Sequence, residues 1–125
     1  AIQRGGAHPH VAGLITLGSP HQGCPAAVAG VVIAASMLST APWSILPGAP
    51  LIRQLGKSPW PMGLPFISIT SNADLLCRPK WGQVDFADDV LVRNMVVDGL
   101  GHTKMLRDPQ LLSVIVQLMA DRGAA

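Results

Sequence analysis

Three short apolar runs punctuate this chain, and each stops at a cluster of turn-forming residues. Val11–Leu17 (VAGLITL) runs into Gly18-Ser19-Pro20, Pro65–Thr70 (PFISIT) into Ser71-Asn72-Ala73-Asp74, and Asn94–Asp98 (NMVVD) into Gly99 and Gly101. Short apolar runs, partly β-branched and bounded by turn signals, predict buried strands. The last segment has a different period. Asp108 is placed to cap a helix, Pro109 suits its first turn and Gly123 ends it. Leu111, Val114, Ile115, Leu118 and Met119 then fall on one helical face. Residues 24–63, rich in Pro, Ala, Gly and Ser, read as a long lid- or cap-like insertion. Within it the pattern predicts an apolar helix over Ala26–Leu38 and a short one over Pro50–Leu55. Ala1–Gly6 reads as a helix tail closed by a Gly-Gly pair.

Buried strands separated by long connections predict a parallel sheet with crossover segments. The 22 residues of Ser71–Val92 are ample for one such crossover. The expected fold class is therefore α/β, in one partial domain over residues 1–125. A parallel sheet needs cover on both faces, which three strands and one good helix do not provide. The first strand would also present a bare edge. The chain reads as half of a larger domain.

Composition narrows the function classes. Apolar residues make up 49% of the 125 and charged ones 13%, which excludes a disordered chain. Nine Lys and Arg against seven Asp, without a basic cluster, leave no nucleic-acid footprint. Charge is unevenly spread: the 48 residues between Arg4 and Arg53 hold no Asp, Glu, Lys or Arg. Such a stretch is buried, covered by a partner or facing lipid. Its apolar centre, Ala26–Leu38, lies between Pro25 and Pro42 and is shorter than the roughly 20 residues a spanning helix needs. No transmembrane span is expected. Cys24 and Cys77 are too few for a disulfide scaffold or a zinc site. Each follows a predicted strand end, so they stand as free thiols or as a bridge in an oxidising compartment. The compartment is left open, with secretion or the cell envelope compatible with the sequence.

The candidate chemistry lies just past the second and third strands. Asp74 follows one and His102 the other, the order in which an acid and a base serve a hydroxyl nucleophile. Asp74 is the sole acid in the first 84 residues. As a purely structural residue it would serve the Asn-Ala-Asp turn. His102 would be a loop histidine in a glycine-rich turn. Asp98 is a rival acid, but four residues before His102 it suits the end of a strand. His21 reads as pocket lining or structural, and His8 and His10 flank Pro9 in a surface turn. Trp43, Trp60 and Trp81 all fall in predicted loops, two of them within residues 24–63. They suit a lid holding acyl chains or, equally, loop aromatics packed on a core.

Thr16–Gly23 (TLGSPHQG) resembles the strand and loop that follow the nucleophile helix in bacterial lipases of the α/β-hydrolase superfamily. Ser68–Leu76 (SITSNADLL) is similar to their strand-to-acid turn, and Gly99–Leu106 (GLGHTKML) to their histidine loop. The likeness covers nearly the whole chain but only the C-terminal half of such an enzyme. It implies a partial α/β-hydrolase fold: the last three parallel strands, a lid-like insertion and the closing helix. It implies Asp74 as triad acid and His102 as general base, an acyl ester or lipid as substrate, and no cofactor.

The sequence departs from that pattern at the nucleophile. A nucleophile elbow has Gly two positions before and two after its serine. Ser19 stands between Leu17 and His21, and Ser36, Ser39, Ser44, Ser58, Ser68, Ser71 and Ser113 fail as well. Nucleophile and oxyanion hole are expected from a missing N-terminal hydrolase half or a companion chain, with little turnover by this chain alone. The alternative is a non-catalytic hydrolase-like module that binds lipid or a protein partner through residues 24–63. A peripheral membrane segment ranks last, because the apolar stretch lacks a Lys/Arg-rich face.

Overall fold

The computed structural model describes residues 1–29, 41–86 and 91–123. Its centre is a sheet of three parallel strands, β1 (Leu14–Leu17), β2 (Phe66–Ser71) and β3 (Val92–Val97), side by side in chain order. Leu14 pairs with Phe66 and Phe66 with Val92, so all three strands start level and run the same way. The α/β class and the parallel sheet are as the sequence predicts.

The strands are less uniformly buried than expected. All six residues of β2 are buried, those of β1 are half-buried, and those of β3 are half-buried or exposed. Order explains this: β2 is central, and the described residues pair β1 and β3 on one side only. Strand limits move for the same reason. β1 begins at Leu14, whose amide donates to Pro65 O at 2.8 Å, so Val11–Gly13 lies outside the ladder. β3 begins at Val92 because its partner Phe66 is the first residue of β2.

The helices are α1 (Ala41–Ser44), α2 (Pro50–Lys57), α3 (Pro79–Gly82), α4 (His102–Met105) and α5 (Pro109–Gly123). A single 3₁₀ turn spans exposed His8–His10. Ala1–Gly6 forms turns and a bend instead of a helix tail. The helix expected over Ala26–Leu38 is helical at residues 27–29, and residues 30–38 lie outside the described residues. Trp43 and Trp81 sit on α1 and α3 instead of in loops, and only Trp60 is a loop residue.

α5 is capped as predicted: Asp108 Oδ1 accepts from the Leu111 amide at 2.9 Å, satisfying a helix-start donor. Its buried stripe is narrower than the periodicity suggests. Leu111, Ile115 and Leu118 pack against Ile67, Ile69 and Met105, whereas Val114 and Met119 face outward. Ile15, Leu17, Met95, Val97 and Leu100 complete this core, which lies between the sheet and α5. No helix among the described residues is long and apolar enough to cross a membrane.

Candidate active site

Three loops leave the C-terminal ends of the strands at one edge of the sheet. Gly18 follows β1, Asp74 follows β2 and His102 follows β3. Parallel strands in sequential order make these loops neighbours, however far apart they lie in the chain. The acid and the histidine accordingly meet: His102 Nδ1 lies 2.7 Å from Asp74 Oδ2.

Asp74 is held by its own turn. Its amide donates to Ser71 O, and Ser71 Oγ accepts from the Ala73 amide. Asp74 Oδ1 accepts from the amides of Leu76 and Cys77 at 2.8 and 2.9 Å, an Asx-type turn that fixes the carboxyl plane. This leaves Oδ2 for the imidazole. The side chain is 0% exposed against 37% for His102, so a buried acid orients a histidine that is open on its other side. Every buried side-chain nitrogen or oxygen among the described residues has a hydrogen-bond partner. Nε2 of His102 has none, so it is the ring nitrogen that reaches the surface.

His102 owes its position to local structure. Gly101 caps α4, with the Lys104 and Met105 amides donating to its carbonyl. Met105, one turn on, is fully buried in the core and anchors the helix. Asn72 ties the two loops together: its Nδ2 donates to Asp98 Oδ1, its Oδ1 accepts from the Gly99 amide at 3.1 Å, and its own amide donates to Val97 O. Asp98 thus closes the loop after β3 and does not contact His102.

Gly18 lies under the pair. Its φ is +56°, and a Cβ there would meet Met105 Cε at 2.9 Å, Asp74 Oδ2 at 3.0 Å and His102 Nδ1 at 3.1 Å. Only glycine combines that backbone with that proximity. Neither Gly18 nor Asn72 stands out in the sequence as a site residue. Their only signal is membership of the TLGSPHQG and SNAD turns.

A cavity of about 450 Å³ opens beside His102, walled by Leu17, Ser19, Ile45, Cys24 and Cys77. Ser19 shares this cavity, but its hydroxyl makes no hydrogen bond to His102. Cys24 and Cys77 are both free thiols. Cys24 Sγ donates to Leu76 O at 3.2 Å. Burial, then the neighbouring Asp74 and Cys24, push the Cys77 thiol up to about 12, so it is not a nucleophile at neutral pH. No group of three or more His, Cys or Asp side chains among the described residues is placed to hold a metal ion.

His21 is separate from the pair. Its Nε2 lies 2.9 Å from Thr16 Oγ1, its ring meets Phe66 edge-on at 5.2 Å, and burial lowers its basicity. It lines a second, larger cavity and not the one beside His102. Trp60 packs on Phe66 and Phe86 beside it.

No family model matches the chain, and neither does any curated protein or solved structure. The geometry is what a functional reading has to stand on.

Proposed function

We propose that residues 1–125 supply the acid and the base of a serine carboxyl-ester hydrolase of the α/β-hydrolase type. The nucleophilic serine and the oxyanion hole come from an N-terminal half or a companion chain. The observation that carries this reading is the bond between the buried Asp74 carboxylate and the half-open His102 imidazole, on adjacent loops at the C-terminal ends of parallel strands. His102 is held at Nδ1, and no described residue bonds its Nε2.

In the reaction, His102 Nε2 takes the serine proton as the serine oxygen attacks the ester carbonyl, and returns it to the departing alcohol. A water molecule then repeats the sequence, releasing the acid and restoring the serine. Asp74 Oδ2 accepts a hydrogen bond from Nδ1–H throughout, which selects the tautomer with a basic Nε2 and stabilises the imidazolium without taking its proton.

Two features support a partner that completes the site. Among the described residues no strand pairs the outer edge of β1, and Leu112, Val114, Val116 and Met119 on α5 are apolar and exposed. The apolar walls of the His102 cavity favour acyl esters or lipids over charged substrates. Hydrolysis of p-nitrophenyl esters by the complete protein, compared with its His102→Ala variant, tests the reading. A loss of about a thousandfold or more supports it, and an unchanged rate removes it.

A further inference from the structure

The larger cavity, about 690 Å³, is walled by Trp60, Phe66, Phe86 and His21 and by Ile52 and Leu55 of α2. Its size falls within the range of small-molecule sites. It is set apart from the Asp74–His102 bond but adjoins the His102 cavity, since Ser19, Pro20 and Ile45 line both. The aromatic residues pack on one another: Trp60 stacks on Phe86 at 5.7 Å and 27°, and lies tilted at 4.7 Å on Phe66, which is itself buried. The charged wall residues, Arg4 and Asp85, are of opposite sign, and Arg4 is engaged with Gln54 Oε1. Nothing here selects a charged ligand.

One polar feature is built into this apolar wall. Ser68 Oγ gives its proton to Gly82 O at 2.6 Å, so in its 3.4 Å contact with Thr16 the proton comes from Thr16. With Thr16 donating to Ser68, its Oγ1 accepts from His21 Nε2 at 2.9 Å. In that arrangement the proton on His21 sits on Nε2, and Nδ1 is a bare acceptor. Burial disfavours the charged ring, which keeps that lone pair free. Among the described residues Nδ1 has no hydrogen-bond partner, and no buried side-chain nitrogen there lacks one. It is therefore open to an incoming molecule.

We propose that this cavity is a binding site for an uncharged molecule with an apolar body and one hydroxyl or N–H group, which donates to His21 Nδ1 while Trp60, Phe86, Ile52 and Leu55 cover the body. The site needs no turnover at His102, so it stands or falls independently of the hydrolase reading.

The test uses β-naphthol and its methyl ether, which share an apolar body but differ in the donor. Binding is followed by quenching of tryptophan fluorescence in the full chain. The expected result is saturable binding of both, with the naphthol about tenfold tighter, the value of one hydrogen bond to an otherwise unpaired acceptor. In His21→Gln the side-chain amide can still donate to Thr16 but offers nothing at the Nδ1 position, and the preference should vanish. In His21→Asn an oxygen replaces Nδ1, and the preference should persist. Equal affinity of the two ligands for wild type, no saturable binding of either, or an undiminished preference in His21→Gln would each overturn the proposal. Independently of variant folding, long-range proton–nitrogen correlation spectra should show His21 protonated on Nε2. Protonation on Nδ1 instead refutes it.

Discussion

Gly18 lies so near His102 that a Cβ on it would stand 3.1 Å from Nδ1, closer than the ring tolerates without shifting. The end of β1 is thus part of a site whose chemistry comes from β2 and β3. Gly18→Ala forces a left-handed backbone on a residue with a side chain and pushes a methyl group against both bonded atoms. The variant should lose about 1–3 kcal/mol of stability in urea denaturation. Ester hydrolysis by the complete protein should fall further than that loss explains, because the pair itself is displaced.

Asp74 is bonded at both oxygens, and the two roles separate by substitution. Asp74→Asn keeps an acceptor for the Leu76 and Cys77 amides but presents an amide to His102. Imidazole then favours the wrong tautomer, and kcat should drop about a thousand- to ten-thousandfold with a small change in stability. Asp74→Ala orphans two buried amide donors as well, at a further cost of about 2–4 kcal/mol. Kinetics and denaturation on the two variants distinguish them.

Asn72 acts through the loop and not on substrate. Asn72→Ala removes both side-chain bonds to the turn after β3 and should cost about 1 kcal/mol. Freed of that tie, His102 spends less time aligned, so kcat should fall about tenfold with KM little changed. A change confined to KM would argue against a positioning role.

Burial holds His21 below its ordinary value of 6.5. The unfolded chain therefore takes up a proton at a pH where the native ring does not. Its contribution is fully present above about pH 6.5 and is lost as pH falls below it. His21→Gln cannot titrate. Between about pH 7.5 and about pH 5.5 the wild-type urea midpoint should fall more steeply than that of the variant.

Much of this architecture can be read from the chain, for identifiable reasons. Each apolar run ending in turn residues contains a strand, because buried strand residues are apolar and the chain needs turn residues where it leaves the sheet. The cap and stripe of α5 follow from Asp108, Leu111, Ile115 and Leu118. Edges are harder. Arg93 breaks the apolar pattern that marks a strand, and β3 tolerates it because Arg93 is exposed on an edge strand. Trp81 falls on a helical turn that Pro79 starts, a signal too short for periodicity to reveal. The meeting of Asp74 and His102 is foreseeable because adjacent parallel strands deliver their loops to one place. Gly18 and Asn72 escape notice because their roles are distances, and one residue's distance from another is not written in either.

The most direct test of an acid–base pair awaiting its nucleophile is intact-mass analysis after treatment with a fluorophosphonate, which labels activated serines. The account predicts that the 13.1 kDa chain stays unlabelled by itself. The complete protein or companion chain should take up one probe, and His102→Ala should abolish it. Uptake of the probe by the 13.1 kDa chain alone would contradict the account, with Ser19 the first residue to map. Labelling of the complete protein that survives loss of His102 would contradict it too, and silence in every form would turn the reading to a non-catalytic module.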